Sequence, residues 1–217
     1  MDWGEISPIF LIIYREDMRM KSCKEYRAQS KGMLSGNWGI AIAVSIVFYF
    51  ITGALSGTFV GMLLLGGVLT IGYNVVFVNG FRKGKLEFMD LFEGFKGDAL
   101  NNRIIMSVLM TLYIFLWSLL FVIPGIIATY KYAMAPYLMY DHPEMTGSEA
   151  LEASKKLMDG KKGKLFLLDL SYIGWILLGC ITFGIGLLFV EPWMQAAHAA
   201  FYEDIKGEVP GTATIVE

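Results

Sequence analysis

The sequence predicts an all-α, polytopic membrane protein. It should have six transmembrane helices arranged as three repeated helical hairpins, each preceded by a short amphipathic cytoplasmic helix. Three observations lead there. Of the 217 residues, 55% are hydrophobic and 18% charged, with a mean hydropathy of +0.53, whereas soluble domains run at about 25% charged. The stretches 32–81, 104–130 and 170–190 carry no charged residue at all; a run of roughly 18 or more apolar residues is long enough to span a bilayer. Finally, the segments 15–31, 82–103 and 155–164, with the tail residue Lys206, hold 17 of the 18 Lys and Arg, Lys131 being the exception.

Length divides the apolar blocks. Residues 104–140 contain one charge, Lys131, and as a single helix would reach about 55 Å against a hydrocarbon core of roughly 30 Å. Tilt cannot absorb that excess. "IPGI" supplies a break, because Pro124 removes an N–H and Gly125 tolerates a tight bend, so two helices are expected near 103–121 and 124–140. Block 32–81 bends at "TGALSGT" (52–58), and block 165–202, whose charges are Asp169 and Glu191, bends at "TFGIG" (182–186). Six spans leave every basic linker on one side, as the positive-inside rule requires, with both termini cytoplasmic. Four spans would send the basic 131–164 segment outside.

The blocks resemble copies of one unit. A shift of 62 residues lays "SGTFVGM" (56–62) on "SLLFVIP" (118–124) and on "CITFGIG" (180–186), so that Phe59, Phe121 and Phe183 coincide and Tyr140 falls on Tyr202. Units of about 23–85, 86–147 and 148–206 form one membrane domain. Residues 1–19 are expected to be an extension, with Met18 or Met20 as the natural start, and 207–217 a disordered tail. Residues 1–14 lack the basic n-region of a signal peptide.

The linkers are amphipathic. Phe88, Leu91, Phe92 and Phe95 recur at helical spacing opposite Glu87, Asp90 and Glu93. Ala150, Leu151, Ser154, Leu157 and Met158 alternate with Glu149, Glu152, Lys155 and Lys156, behind a capping box from Thr146 to Glu149. Cys23, Tyr26, Met33 and Leu34 make a weaker stripe. Such helices suit the headgroup interface, apolar face down, or else cap the bundle.

The motifs "GNW" (36–38), "LFEGFKG" (91–97), "LLFVIPGI" (119–126), "YAMAPYLMYD" (132–141), "EASKKLMDGKKGKLFLLDLSYIGW" (152–175), "TFGIG" (182–186) and "AAFYED" (199–204) resemble a bacterial family of integral membrane proteins, domain of unknown function 975. The resemblance covers about residues 24–206. That family is similar to membrane domains attached to some glycerophosphodiester phosphodiesterases. It implies a multi-pass protein of the bacterial cell membrane and carries over no catalytic or binding residue.

Ionisable residues inside spans are the candidate functional groups. A charge at the bilayer centre costs about 2.5–3.5 kcal/mol on insertion scales and needs a partner or water. Lys131 and Glu191 stand at comparable mid-span depth, and Asp169 is about one turn inside the cytoplasmic boundary. They read either as a polar path or as packing pairs. Lys161, Lys162 and Lys164 of "GKKGK", with Arg82, Lys83 and Lys85, are candidates for contact with anionic lipid headgroups. His142 and His198 lack companions at metal-ligand spacing and read as packing or turn residues. Cys23 and Cys180 fall on opposite sides of the membrane and form no disulfide framework. Gly53, Gly57 and Gly61 form a small-xxx-small stripe at the first bend. No metal, cofactor or nucleophile–base constellation is expected, and a net charge of −2 argues against a nucleic-acid partner. The expectation is a non-enzymatic protein acting through membrane lipid, a membrane-protein partner or a second copy of itself, as scaffold, accessory or envelope-stress component. The alternative is a small transporter or channel around Lys131 and Glu191.

Overall fold

A computed structural model describes residues 20–58, 61–182 and 184–208. The proposed extension 1–19, the tail beyond 208, and two of the three aligned phenylalanines, Phe59 and Phe183, lie outside these residues. Residues 207 and 208 belong to a closing 3₁₀ turn, Lys206–Glu208.

Every described regular element is helical. The chain runs through α1 (Cys23–Leu34), α2 (Trp38–Ser56), a π turn (Met62–Gly66) continuing into α3 (Gly67–Lys83), and a 3₁₀ helix (Phe88–Phe95). It then forms α4 (Leu100–Leu120), α5 (Val122–Tyr132), α6 (Ala135–Asp141), α7 (Gly147–Leu157), α8 (Lys162–Leu170), α9 (Ile173–Ile181) and α10 (Leu187–Ile205). Among the described residues, four helical stretches are long and apolar enough to cross a membrane: Trp38–Ser56, Met62–Lys83, Leu100–Leu120 and Lys162–Ile181. Two of the six expected spans fall short by different routes. The 124–140 segment is broken between α5 and α6, because Pro136 in the first turn of α6 has no N–H to give the carbonyl one turn back. The last is one continuous helix, α10, but Glu191, His198, Glu203 and Asp204 dilute its apolarity.

The break after α4 falls slightly ahead of its predicted place. Phe121, not Pro124, leaves the helix, with φ −162° and ψ 155°. Pro124 sits in the first turn of α5, where a missing N–H costs nothing. The close return of α5 onto α4 needs Gly125: a Cβ there would stand 2.3 Å from the Ser118 hydroxyl oxygen.

Burial separates two kinds of helix. Two-thirds of Met62–Lys83 is buried (67%), against 22%, 17% and 22% of Trp38–Ser56, Leu100–Leu120 and Lys162–Ile181. The core gathers on α3, α6 and α10, where Tyr73, Phe77, Leu138, Met139, Phe201 and Tyr202 are buried. The outer helices expose Phe50, Phe115, Leu119, Leu177 and Ile181, and Phe121, Val122 and Ile185 are exposed as well.

The linker helices turn their apolar faces into the protein. Tyr26, Ser30 and Leu34 of α1 are buried, and the Tyr26 hydroxyl donates to Asp204 at 2.6 Å. Ala150, Leu151, Ser154 and Leu157 of α7 are buried, and the predicted Thr146–Glu149 capping box is present. A second box, Ser22 with Glu25, opens α1. The expectation of apolar faces lying in the headgroup layer is therefore corrected for these two helices, whose faces are spent on the bundle. The third linker also differs, because it is 3₁₀ rather than α. At three residues per turn Asp90 rotates inward, buried and bonded to Asn79 Nδ2 at 2.8 Å, while Phe88 and Met89 are exposed. Its final carbonyls are taken by the buried Arg103, whose Nη1 donates to Glu93, Gly94 and Lys96 oxygens at 3.1, 2.9 and 2.6 Å.

Close helix approach does not use the Gly53 stripe. A Cβ on Gly53 would meet nothing within 4 Å, whereas one on Gly72 would stand 1.8 Å from the Leu91 carbonyl oxygen. Gly72, under the 3₁₀ helix, is the tightest of these close approaches among the described residues.

Candidate functional site

The most polar of the described cavities is framed by α3, α5, α6, α8 and α10, and holds about 390 Å³. Its polar lining is Thr70, Asn74, Thr129, Tyr130, Asp169, Gln195 and His198. Asp169 is the hub. Tyr130 donates its hydroxyl to Oδ2 at 2.8 Å, and His198 Nε2 meets Oδ1 at hydrogen-bond distance. An ionised carboxylate only accepts, so this contact suits an imidazole with a proton on Nε2. α8 delivers Asp169, α5 delivers Tyr130 from its last turn, and α10 delivers His198 three turns after Gly186.

Asn74 completes the lining from α3. It is 6% exposed, faces the cavity, and its amide makes no hydrogen bond among the described residues. Its amide is thus available to a partner that enters the cavity. Gln195 is engaged only by a long 3.4 Å contact to Glu191. Lys and Arg are absent from the lining, while Met110, Ile126, Pro136, Tyr137 and Leu165 give it apolar walls. The mouth lies along α5, where Ile126 and Thr129 are exposed.

Of the three intramembrane candidates, Asp169 alone enters this site. Lys131 lines a separate apolar cavity with Trp117, Pro124, Ile127 and Ala128, its ammonium 5.0 Å from the Tyr132 ring centre. Glu191 lines a third, with Ser45, Tyr49 and Met194. No described cavity contains both, and no ion pair joins them.

The basic candidates are engaged by the protein itself. Arg82 binds Asp141 through Nη1 and Nη2, each at 2.7 Å, and Glu203 through Nε at 2.8 Å. Lys83 lies 3.9 Å from Asp90, Lys85 2.9 Å from Glu87, and Lys162 3.2 Å from Asp159. Lys161 is buried and its ammonium donates to the Leu157 carbonyl; Lys164 is half-buried. Lys83 and Lys85 nevertheless keep side-chain exposures of 45% and 68%. In the last linker Glu149 is held below the ordinary glutamate range, first by the Thr146 backbone N–H and then by its hydroxyl.

Sequence reading missed Asn74, Tyr130 and His198 as site residues. A lone His 29 residues from its carboxylate has no local signature. The available signal was periodic: Asn74, Pro136 and His198 recur at the 62-residue interval, and all three line the cavity.

No curated protein and no solved structure matches the chain. Residues 119–208, which supply Tyr130, Asp169, Gln195 and His198, match the family model described as "Protein of unknown function (DUF975)".

Proposed function

We propose that this is a six-span protein of the bacterial cell membrane, both termini cytoplasmic, that acts without catalysis by holding a lipid or a membrane partner in the Asp169 cavity. Four long apolar helices provide the coarse frame. The fifth and sixth spans are α5 with α6, and α10. Support comes from spacing: α2, α4 and α8 begin at Trp38, Leu100 and Lys162, the same 62-residue interval as in the sequence alignment. Side-chain bonds repeat with it. Tyr140 donates to Asn79 at 3.3 Å, and one unit later Tyr202 donates to Asp141 at 2.7 Å. In this three-unit reading the second legs form the inner ring and the first legs the outer one.

The observation that carries the functional reading is the placement of an unpaired, buried Asn74 amide and a lysine-free carboxylate in a cavity whose mouth opens on an exposed apolar helix. Small-molecule sites are commonly apolar clefts of roughly 300–1,000 Å³ with a few convergent polar groups. The alternative of a conduction path through Lys131 and Glu191 has less support, because the two line different cavities.

Substituted-cysteine labelling in intact cells tests the architecture. Cysteines introduced at Gly57 and Gly184 should react with an impermeant reagent, and cysteines at Lys85 and Glu144 only after lysis. External reaction at Glu144 would overturn the six-span reading.

A further inference from the structure

We infer that the Asp169 cavity recognises a protonated primary amine on an amphiphile, such as the amine-bearing head of a zwitterionic lipid, entering along α5. This rests on the lipid-holding reading above and names its ligand class. The site's chemistry selects the charge. One carboxylate faces the cavity, its neighbours Tyr130 and His198 both donate to it, and the lining holds no Lys or Arg. An anionic head would meet that carboxylate without a compensating cation, whereas an ammonium gains a charge-assisted bond.

The neutral groups select the amine's substitution. An ammonium offers three N–H donors, and the carbonyl oxygens of Asn74 and Gln195 stand in the same cavity as further acceptors. Asn74 is the independent sign of a ligand, since the residue is 6% exposed, lines the cavity and makes no side-chain hydrogen bond among the described residues. Its N–H₂ also remains to donate to a phosphate or ester oxygen adjoining the amine. A quaternary head has no N–H and would leave these acceptors unpaired, and a polar site built to bond a donor rejects the analogue lacking it. The exposed Ile126 and the apolar walls suit the hydrocarbon behind the head.

The experiment uses the full chain extracted from membranes and exchanged into nanodiscs of equal phosphatidylethanolamine, phosphatidylcholine and phosphatidylglycerol, with retained lipid counted by native mass spectrometry. Wild type should retain phosphatidylethanolamine over the other two by about tenfold or more, and free ethanolamine should compete. Asp169→Asn should bring retention to the bulk ratio, and Asn74→Leu should lower it severalfold. Should Asp169→Asn fail to fold, Asn74→Leu and Gln195→Leu still decide. Stabilisation by free ethanolamine without lipid enrichment would assign the same amine chemistry to a soluble source. Equal retention of the three lipids with no ethanolamine effect, or retention unchanged in the variants, overturns the inference. Loss of the six-span reading would appear instead in the cysteine labelling, independently of lipid retention.

Discussion

Arg82 grips Asp141 through a two-pronged contact, 2.7 Å on each prong, and reaches Glu203 with its third nitrogen. One side chain thereby ties α3 to α6 and α10. Both carboxylates and the guanidinium are partly shielded, with side-chain exposures of 17%, 20% and 29%. Truncation to Ala should destabilise the protein by about 1–3 kcal/mol, below the figure for fully buried pairs because water still reaches the cluster. Arg82→Lys should recover little, since an ammonium cannot span both oxygens of Asp141. Thermal unfolding in mild detergent measures both; a lysine variant as stable as wild type would contradict the fork.

Gly72 predicts a steric asymmetry. Adding a methyl group there puts it 1.8 Å from the Leu91 carbonyl, while Gly53 has open space. Gly72→Ala should push the 3₁₀ helix off α3 and cost about 3 kcal/mol or more, in the range of overpacked cores. Gly53→Ala should be neutral or stabilising by up to about 1 kcal/mol through helix propensity. Comparable losses at both positions would mean that the contact is misassigned.

The two capping boxes give a pH dependence. Glu25 and Glu149 are held below the ordinary glutamate value chiefly by the N-cap backbone N–H groups of Ser22 and Thr146. A lowered folded-state pKa means the unfolded chain binds the proton first. The contribution is therefore complete above the unfolded value and lost as pH falls through the folded one. Glu149→Gln should be less stable than wild type at about pH 6, and the gap should close by about pH 3. Thr146→Ala should cost about 1 kcal/mol by removing the cap. A gap that widens on acidification would refute the assignment.

The three intramembrane charges should behave differently when neutralised. Lys131 has no carboxylate partner among the described residues, so Lys131→Met should leave the unfolding temperature unchanged or raise it. Glu191→Gln should likewise have little effect on unfolding. Asp169→Asn breaks the bonding pattern to Tyr130 and His198 and should lower the unfolding temperature by several degrees. Equal responses at all three positions would show that Asp169 is no hub.

Much of the helical frame was legible because it depends on length and on the cost of burying charge, which composition reports directly. The break near Pro124 and the capping box at Thr146 rest on local chemistry and lie close to their predicted positions. The break at Ala133 was missed although Pro136 announces it, because an apolar run masks a proline when only length is counted. Asp90 was given the wrong face because a helical period was assumed for a 3₁₀ segment. The site was half legible: Asp169 was noticed as an ionisable residue within an expected span. His198 and Asn74 are ordinary residues until three distant helices bring them to one cavity.

The Tyr140–Asn79 and Tyr202–Asp141 bonds have a topological consequence in the proposed three-unit architecture. Each passes from one unit back to its predecessor, at positions 79 and 141, and the corresponding position of the last unit is Glu203. That place is occupied by Arg82 from the first unit. The circuit is thereby completed by a contact between the first unit and the last. A single side chain thereby joins the two ends of the proposed series, so its loss should loosen the closure of the whole bundle and not one seam alone.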